Sequence, residues 1–116
     1  MINILLIAIG GALGTVLRYS LQKLFNTSFP IGTLSINIAG CFLIGWIWAI
    51  SLKGLSEQWR PFLMTGFCGG FTTFSAFTLE SIQMVLSDRW MMFLLYIIGS
   101  VAGGLLATFL GYKIFS

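Results

Sequence analysis

The polar side chains that could do chemistry in this chain lie inside stretches that are otherwise apolar. Glu80 stands one helical turn after Phe77, and Asn37 stands one turn after Thr33. Within a membrane, such side chains face protein or water rather than lipid. Glu80 could carry a proton, bind a cation or accept hydrogen bonds, or it could simply reach to the nearby membrane surface. Asn37 could donate to an anion or form an interhelical hydrogen bond.

One segment, residues 66–77, combines a glycine pair with hydroxyl residues in the sequence GFCGGFTTFSAF. This combination is unfavourable in a plain lipid-facing helix and predicts a break near residues 69–75, at Gly70, Thr73 and Ser75. A broken helix presents carbonyls at the end of its first half and amides at the start of its second, so it can hold a cation or favour an anion. The alternative is a kink healed by Ser and Thr hydroxyls that bond to preceding carbonyls.

Three phenylalanines, Phe71, Phe74 and Phe77, recur every third residue on one helix face. Such a stripe usually serves packing, and the spacing alone favours that interpretation. A ring edge nevertheless carries partial positive charge, so a ring presented edge-on can stabilise a small anion without trapping it as a buried Lys or Arg would.

Two further features flank this segment. Tyr96, Ser100 and Thr108 form a polar stripe on the last helix, with Gly104 between them, which fits either a pore lining or a helix seam. Arg18, at the end of the first helix, could anchor in lipid headgroups or raise the anion concentration at a pore mouth.

The elements that must position these residues are transmembrane helices. The chain has 116 residues, of which 58% are hydrophobic and 8% are charged, with a mean hydropathy of +0.99. We expect an all-α membrane protein with one domain over residues 1–116. The predicted helices are about 2–19, 33–52, 60–86 and 90–112. There is no His and no nucleophile beside a base, so the chain is not expected to be an enzyme.

The basic loop residues divide evenly between the two sides of the membrane, three against three. Either a small count balances by accident, or the chain inserts both ways and the two orientations pair as an antiparallel dimer. Four helices scarcely enclose a water-lined path, so a transport function would need a second subunit. The scattered basic residues argue against nucleic acid as a partner. One side carries Arg18, Lys23 and Arg89, and the other carries Lys53, Arg60 and Lys113.

These motifs together resemble the small bacterial fluoride channels of the Fluc (CrcB) type, and the resemblance covers nearly the whole chain. It rests on GGALG at residues 10–14 followed by Arg18 and Tyr19, on GTL at 32–34 with Asn37 and Gly40, and on GGFTTFSAF at 69–77.

The resemblance implies a dual-topology homodimer in the bacterial inner membrane, with two pores that conduct fluoride passively, exclude chloride and relieve fluoride toxicity. It implies a structural Na⁺ that is not transported, bound at the dimer centre by the backbone carbonyls of Gly69 and Thr72 from both subunits. It places Arg18 near the vestibule. The ion-path residues that it implies are Phe74, Phe77, Asn37, Thr33, Glu80, Tyr96 and Ser100, with the ring edges and the Asn37 amide facing the ion.

Two departures from the family pattern reduce the number of hydroxyl groups along the expected ion path. Ala76 stands where many members have Thr or Ser, and Gly104 stands where some have Ser.

Two rival functions remain from the residues alone. A small multidrug-type, proton-coupled cation exporter would have to use Glu80, although that family carries its carboxylate in helix 1. A membrane anchor that transports nothing would need only the glycine-rich helix seams.

Overall fold

The computed structural model describes residues 2–27, 29–54 and 59–116, and within these ranges the chain is helical with no strand. The helices are α1 (Ile2–Phe25), α2 (Ile31–Leu52), α3 (π-helical Pro61–Cys68 continuing as α-helical Gly69–Phe71), α4 (Ser75–Leu86) and α5 (Trp90–Phe115). In this part of the chain four segments are long and apolar enough to cross a membrane, namely α1, α2, Pro61–Leu86 and α5. The predicted all-α architecture is confirmed, with four segments that are long and apolar enough to span a membrane.

The first helix is longer than the sequence predicted, because it ends at Phe25 and not at Tyr19. No residue after Tyr19 breaks a helix until Pro30, and a polar residue such as Gln22 propagates a helix well. Pro30 also sets the start of α2, which begins directly after it at Ile31. The extra turns of α1 carry additional polar side chains toward α2 and α4.

The second helix ends as the sequence predicted, at a glycine. Helix α2 finishes at Leu52, and the amide of Lys53 donates to the Ile50 carbonyl at 2.9 Å. Gly54 has a φ of 114°, a conformation in which a side chain would be strained.

Helix α4 ends in a Schellman motif built on a residue other than glycine. The Arg89 amide donates to the Met84 carbonyl at 2.8 Å, and the Asp88 amide donates to the Val85 carbonyl at 3.1 Å. Asp88 occupies the left-handed position with a φ of 58°, which an aspartate tolerates better than most residues. This motif fixes the course of the connection into α5.

Glycines allow two helix pairs to approach closely. A Cβ on Gly14 of α1 would clash with the carbonyl oxygen of Phe67 in α3, and one on Gly70 would lie 2.5 Å from the Gly11 carbonyl oxygen. Helices α2 and α5 meet in the same manner, since a Cβ on Gly45 would clash with the backbone of Thr108. Close backbone approach is the usual basis of helix association within a membrane.

The outward faces of α1 and α5 are apolar and exposed, as expected of surfaces that contact lipid. The four tryptophans are partly exposed and unevenly divided. Trp46 and Trp48 lie toward the end of α2 and Trp59 just before α3, whereas Trp90 begins α5 at the opposite end of the bundle.

Candidate functional site

The third membrane-spanning segment is not helical between Phe71 and Ser75. Thr72 adopts an extended conformation, with φ −88° and ψ 159°, and the next helix begins at Ser75. The residues outside the helices here are Thr72, Thr73 and Phe74. The Thr72 hydroxyl and amide both donate to the Cys68 carbonyl, at 2.9 and 3.0 Å. This is the hydroxyl bond expected of a healed kink, but the backbone leaves the helical conformation just after it.

Asn37 of α2 holds the non-helical backbone from the side. Its Nδ2 donates to the Thr73 carbonyl at 3.0 Å, and its Oδ1 accepts from the Thr73 amide at 2.9 Å. The Thr73 hydroxyl in turn accepts from the Ala76 amide at 3.1 Å and so caps the start of α4. Because Nδ2 carries two N–H groups, one donor of Asn37 remains for another acceptor.

Arg18 of α1 holds the other side of the break. Its Nε donates to the Gly70 carbonyl at 3.0 Å, and the same oxygen lies 3.5 Å from the Thr15 hydroxyl. Gly70 lies in the last turn of α3, where carbonyls lack helical partners and a cation is favourable. The Arg18 guanidinium also donates to Gln22 Oε1 at 3.2 Å. Arg18 therefore does more than anchor in headgroups.

Glu80 lies within α4 and accepts three hydrogen bonds from three other segments. Its Oε1 accepts from the Tyr96 hydroxyl at 3.0 Å, and its Oε2 accepts from the Thr33 hydroxyl at 3.0 Å and from Asn26 Nδ2 at 3.2 Å. Tyr96 and Thr33 are both 0% exposed. The carboxylate is thus held by donors from α2, α5 and the connection after α1. We call Glu80, Thr33, Tyr96 and Asn26 the carboxylate cluster.

Two members of this network, Gln22 and Asn26, were not anticipated from the sequence. Gln22 Nε2 donates to the Thr33 hydroxyl at 3.0 Å, and Asn26 Oδ1 accepts from the Thr33 amide at 3.0 Å. Arg18, Gln22 and Asn26 recur every four residues, a spacing that puts them on one helix face. That signal was available, but it carries weight only when α1 continues past Tyr19.

A groove of about 350 Å³ brings several of the expected site residues together. Phe74 is 77% exposed and Phe77 is 9% exposed, and their ring centroids lie 5.9 Å apart. The Ser100 hydroxyl oxygen is buried and has no hydrogen-bond partner in the part of the chain that the structure describes. The site residues that line the groove are Asn37, Gly69, Thr72, Thr73, Phe74, Phe77 and Ser100.

Phe77 connects the groove to the carboxylate cluster, because its ring packs on Tyr96 with a centroid separation of 5.1 Å. The polar stripe of α5 therefore divides between two roles. Ser100 faces the groove, whereas the Thr108 hydroxyl donates to the Cys41 carbonyl at 3.0 Å and belongs to the seam with α2. Ser75 is exposed and its hydroxyl lies 3.5 Å from that of Thr73.

Any cation at this site would be bound by backbone oxygens. No group of three His, Cys, Asp or Glu side chains that could hold a metal occurs within residues 2–27, 29–54 and 59–116. The carbonyl oxygens of Gly69 and Thr72 receive no hydrogen bond from the described residues, since the Thr73 amide is bound by Asn37. Unwound carbonyls at the end of a half-helix are typical ligands of a monovalent cation in a membrane protein.

Comparison with known proteins identifies the family. Residues 5–112 match the family described as CrcB-like protein, Camphor Resistance (CrcB). The chain belongs to this family. Its resemblance to the CrcB type, inferred from three short motifs, is confirmed over nearly the full length.

Curated CrcB relatives carry the name of an ion channel. "Fluoride-specific ion channel FluC" of Leptospira interrogans is 48% identical over 115 residues, which are 94% of this chain and 91% of the relative. The protein of the same name from Chlorobium luteolum is 44% identical over 95% of this chain and 89% of the relative. "Fluoride-specific ion channel FluC 2" of Rhodococcus jostii is 41% identical over 98% and 99%. These are names of channels and not of enzymes.

Proposed function

We propose that this chain forms a passive, fluoride-selective channel that exports fluoride across the bacterial inner membrane and so relieves fluoride toxicity. The observation that carries the proposal is the groove, where an amide, aromatic rings and a hydroxyl without a hydrogen-bond partner meet, with no Lys or Arg among the described residues that line it. A small, strongly hydrated anion needs many modest donors that replace its water and still release it. The channel names of relatives that are 41% to 48% identical support this choice of ion.

The proposed path runs along the groove and then past Phe77 into the carboxylate cluster. Asn37 offers its second N–H, Ser100 its free hydroxyl, and Phe74 and Phe77 their ring edges. The hydroxyls of Tyr96 and Thr33 would then turn from Glu80 to the ion. Glu80 acts as the acceptor that keeps those hydroxyls oriented between ions. Arg18 favours the anion at the vestibule through its charge.

A second copy of the chain in the opposite orientation would complete the groove. Phe74 is 77% exposed although it stands in the middle of a membrane-spanning segment, beside two backbone carbonyl oxygens that accept no hydrogen bond from the described residues. The even division of loop charges allows both orientations. An antiparallel homodimer built in this way has two equivalent pores, with the outer faces of α1 and α5 in contact with lipid.

The same dimer would bring together the carbonyls of Gly69 and Thr72 from both copies, and these oxygens fit a structural Na⁺. They are free of hydrogen bonds from the described residues, and they lie at the negative end of the α3 dipole. The ion would supply a fixed positive charge at the centre of the dimer and would not be transported. Arg18 occupies the intervening Gly70 carbonyl, which leaves the other two for the cation.

Fluoride release from proteoliposomes that contain only this protein tests the function. An ion-selective electrode should record fluoride release down its concentration gradient, while potassium leaves the vesicles to balance the charge. Vesicles loaded with chloride should release no chloride. Absence of fluoride release in every lipid composition would reject the proposal and leave the membrane-anchor alternative. A solution mass twice that of the chain, together with termini accessible from both sides of the vesicle, would support the antiparallel dimer.

A further inference from the structure

A second pocket, smaller than the groove and more polar, lies beside the carboxylate cluster. It has a volume of about 210 Å³ and is formed by α4 and by the connections that join α1 to α2 and α4 to α5. Its lining includes Asn26, Pro30, Glu80, Gln83 and Arg89. Because both connections lie where the chain leaves the membrane, we call this space the mouth pocket.

The carboxylate of Glu80 is the inner boundary of the mouth pocket, and its hydrogen-bonding capacity is largely used. Both oxygens accept from Thr33, Tyr96 and Asn26, and both N–H groups of Asn26 are committed to Thr33 and Glu80. An anion that left the Tyr96 and Thr33 hydroxyls would therefore meet a negative charge and no spare donor. A compensating group is needed on the outer side of the carboxylate.

Gln83 and Arg89 supply such groups. Gln83 lies three residues after Glu80 on the same face of α4, is exposed, and its carboxamide makes no hydrogen bond within the described part of the chain. Arg89 is half-buried, and the Schellman motif fixes its backbone against Met84. Arg89 lines the mouth pocket and its Nη1 donates to the Met92 Sδ at 3.9 Å, so its guanidinium brings a permanent positive charge to this space.

We propose that the mouth pocket is an additional anion subsite, in which Arg89 attracts a small hydrated inorganic anion and Gln83 donates a hydrogen bond to it. The inference rests on the proposed channel function and extends its path by one step. Arg89 offsets the repulsion of Glu80 and raises the local anion concentration. Its position at the protein surface keeps the attraction weak, as passage of the ion requires. Because attraction by charge does not distinguish one anion from another, the selectivity for fluoride over chloride is set by the groove.

The test compares Arg89→Gln with Arg89→Lys and with Lys23→Gln as a matched control. Lys23 is exposed, belongs to the same side of the membrane as Arg89 and lines neither the groove nor the mouth pocket, so its loss changes the loop charge balance equally. Initial fluoride release is measured at ionic strengths of about 0.01 M and about 1 M, where the Debye length is about 30 Å and 3 Å.

At low ionic strength Arg89→Gln should slow fluoride release roughly three-fold, and the deficit should vanish at high ionic strength. Arg89→Lys and Lys23→Gln should match the wild type, and all variants should still exclude chloride. Gln83→Leu, which leaves the helix end and the charge intact, should slow release roughly two-fold at both ionic strengths, as expected for loss of one neutral hydrogen bond of about 0.5 kcal/mol.

Three results would overturn the subsite: an Arg89→Gln rate equal to that of Lys23→Gln, a deficit that persists at high ionic strength, or an Arg89→Lys rate as low as that of Arg89→Gln. The last two would show that Arg89 acts by holding the end of α4. Failure of the proposed function is a separate outcome, because the wild-type protein would then release no fluoride under any of these conditions.

Discussion

The two ends of the proposed path differ in what their hydrogen bonds hold. At the start of α4, Asn37 and Arg18 bind backbone groups, the amide and carbonyl of Thr73 and the carbonyl of Gly70. In the middle of α4, Glu80 is bound only by side chains. The hydrogen bonds of Asn37 and Arg18 cannot break unless the backbone conformation changes. The hydroxyls that bind Glu80, in contrast, can rotate toward another acceptor. The first position therefore gives the site its shape, and the second gives it exchangeable donors.

The largest effect is expected from Asn37→Ala. Two backbone groups of Thr73 would lose their partners, each at a cost of about 1–3 kcal/mol. We expect fluoride release to fall by roughly ten-fold or more and the melting temperature of the detergent-solubilised protein to drop. Asn37→Asp is the comparison variant, since it keeps the acceptor but replaces the NH₂ donor by a negatively charged oxygen that also repels the anion. If both variants melted at the wild-type temperature, Asn37 would not stabilise the non-helical backbone around Thr73.

Phe74→Ile and Phe77→Ile separate packing from ion contact. Loss of one ring-edge contact of about 1 kcal/mol corresponds to roughly five-fold slower release, so both variants should conduct poorly. Phe77→Ile should lower the melting temperature more than Phe74→Ile, because within one chain Phe77 is 9% exposed and packs on Tyr96, whereas Phe74 is 77% exposed. Neither should prevent dimerisation. Unchanged release in both variants would place the ion path elsewhere.

Glu80→Gln should have a moderate effect, because the substitution keeps the shape of the side chain and removes its charge. Hydrogen bonds to a neutral acceptor are weaker by about 1 kcal/mol, and one donor of the carboxylate cluster would face the new NH₂ group. We expect roughly two- to five-fold slower fluoride release with no dependence on a proton gradient. Proton-driven uptake of a hydrophobic cation that the substitution abolishes would instead favour the exporter alternative.

The smallest effect is expected from the backbone of the Schellman motif that ends α4, beside the mouth pocket. Asp88→Gly removes a Cβ from a residue with a φ of 58° and should stabilise the protein by about 0.5 kcal/mol. Fluoride release should be unchanged at an ionic strength of about 1 M, where the loss of the carboxylate beside Arg89 is screened. Ser87→Gly, at a φ of −96°, is the control and should not stabilise. A higher melting temperature for Ser87→Gly alone would contradict the argument from backbone conformation.

What the sequence could predict was set by local rules. Apolar length and charge place four helices, and Gly54 marks the end of α2 in the conformation that glycine permits. The glycine pair and the hydroxyls predict a break near residues 69–75. None of these inferences needs a knowledge of which helices are neighbours.

What the sequence could not predict depends on contacts between distant segments. Asn37 bonds to Thr73 across 36 positions and Arg18 bonds to Gly70 across 52, and no spacing rule pairs them. The end of α1 was placed too early because Tyr19 followed the last long apolar run, although no glycine or proline follows Tyr19 until Pro30. That error hid Gln22 and Asn26, which α1 and the connection after it bring to Thr33.

The uneven distribution of the tryptophans has a consequence for how the protein sits in the bilayer. Indole rings settle at the level of the lipid headgroups and fix the depth of a membrane protein. One copy alone carries three rings near one end, Trp46, Trp48 and Trp59, and only Trp90 at the other. In an antiparallel pair, the end of each copy with three tryptophans lies beside the end of the other copy with one. Both leaflets therefore receive the same number of indole rings. The assembly would then have no preferred vertical displacement, and each of its two pores would meet the same thickness of membrane.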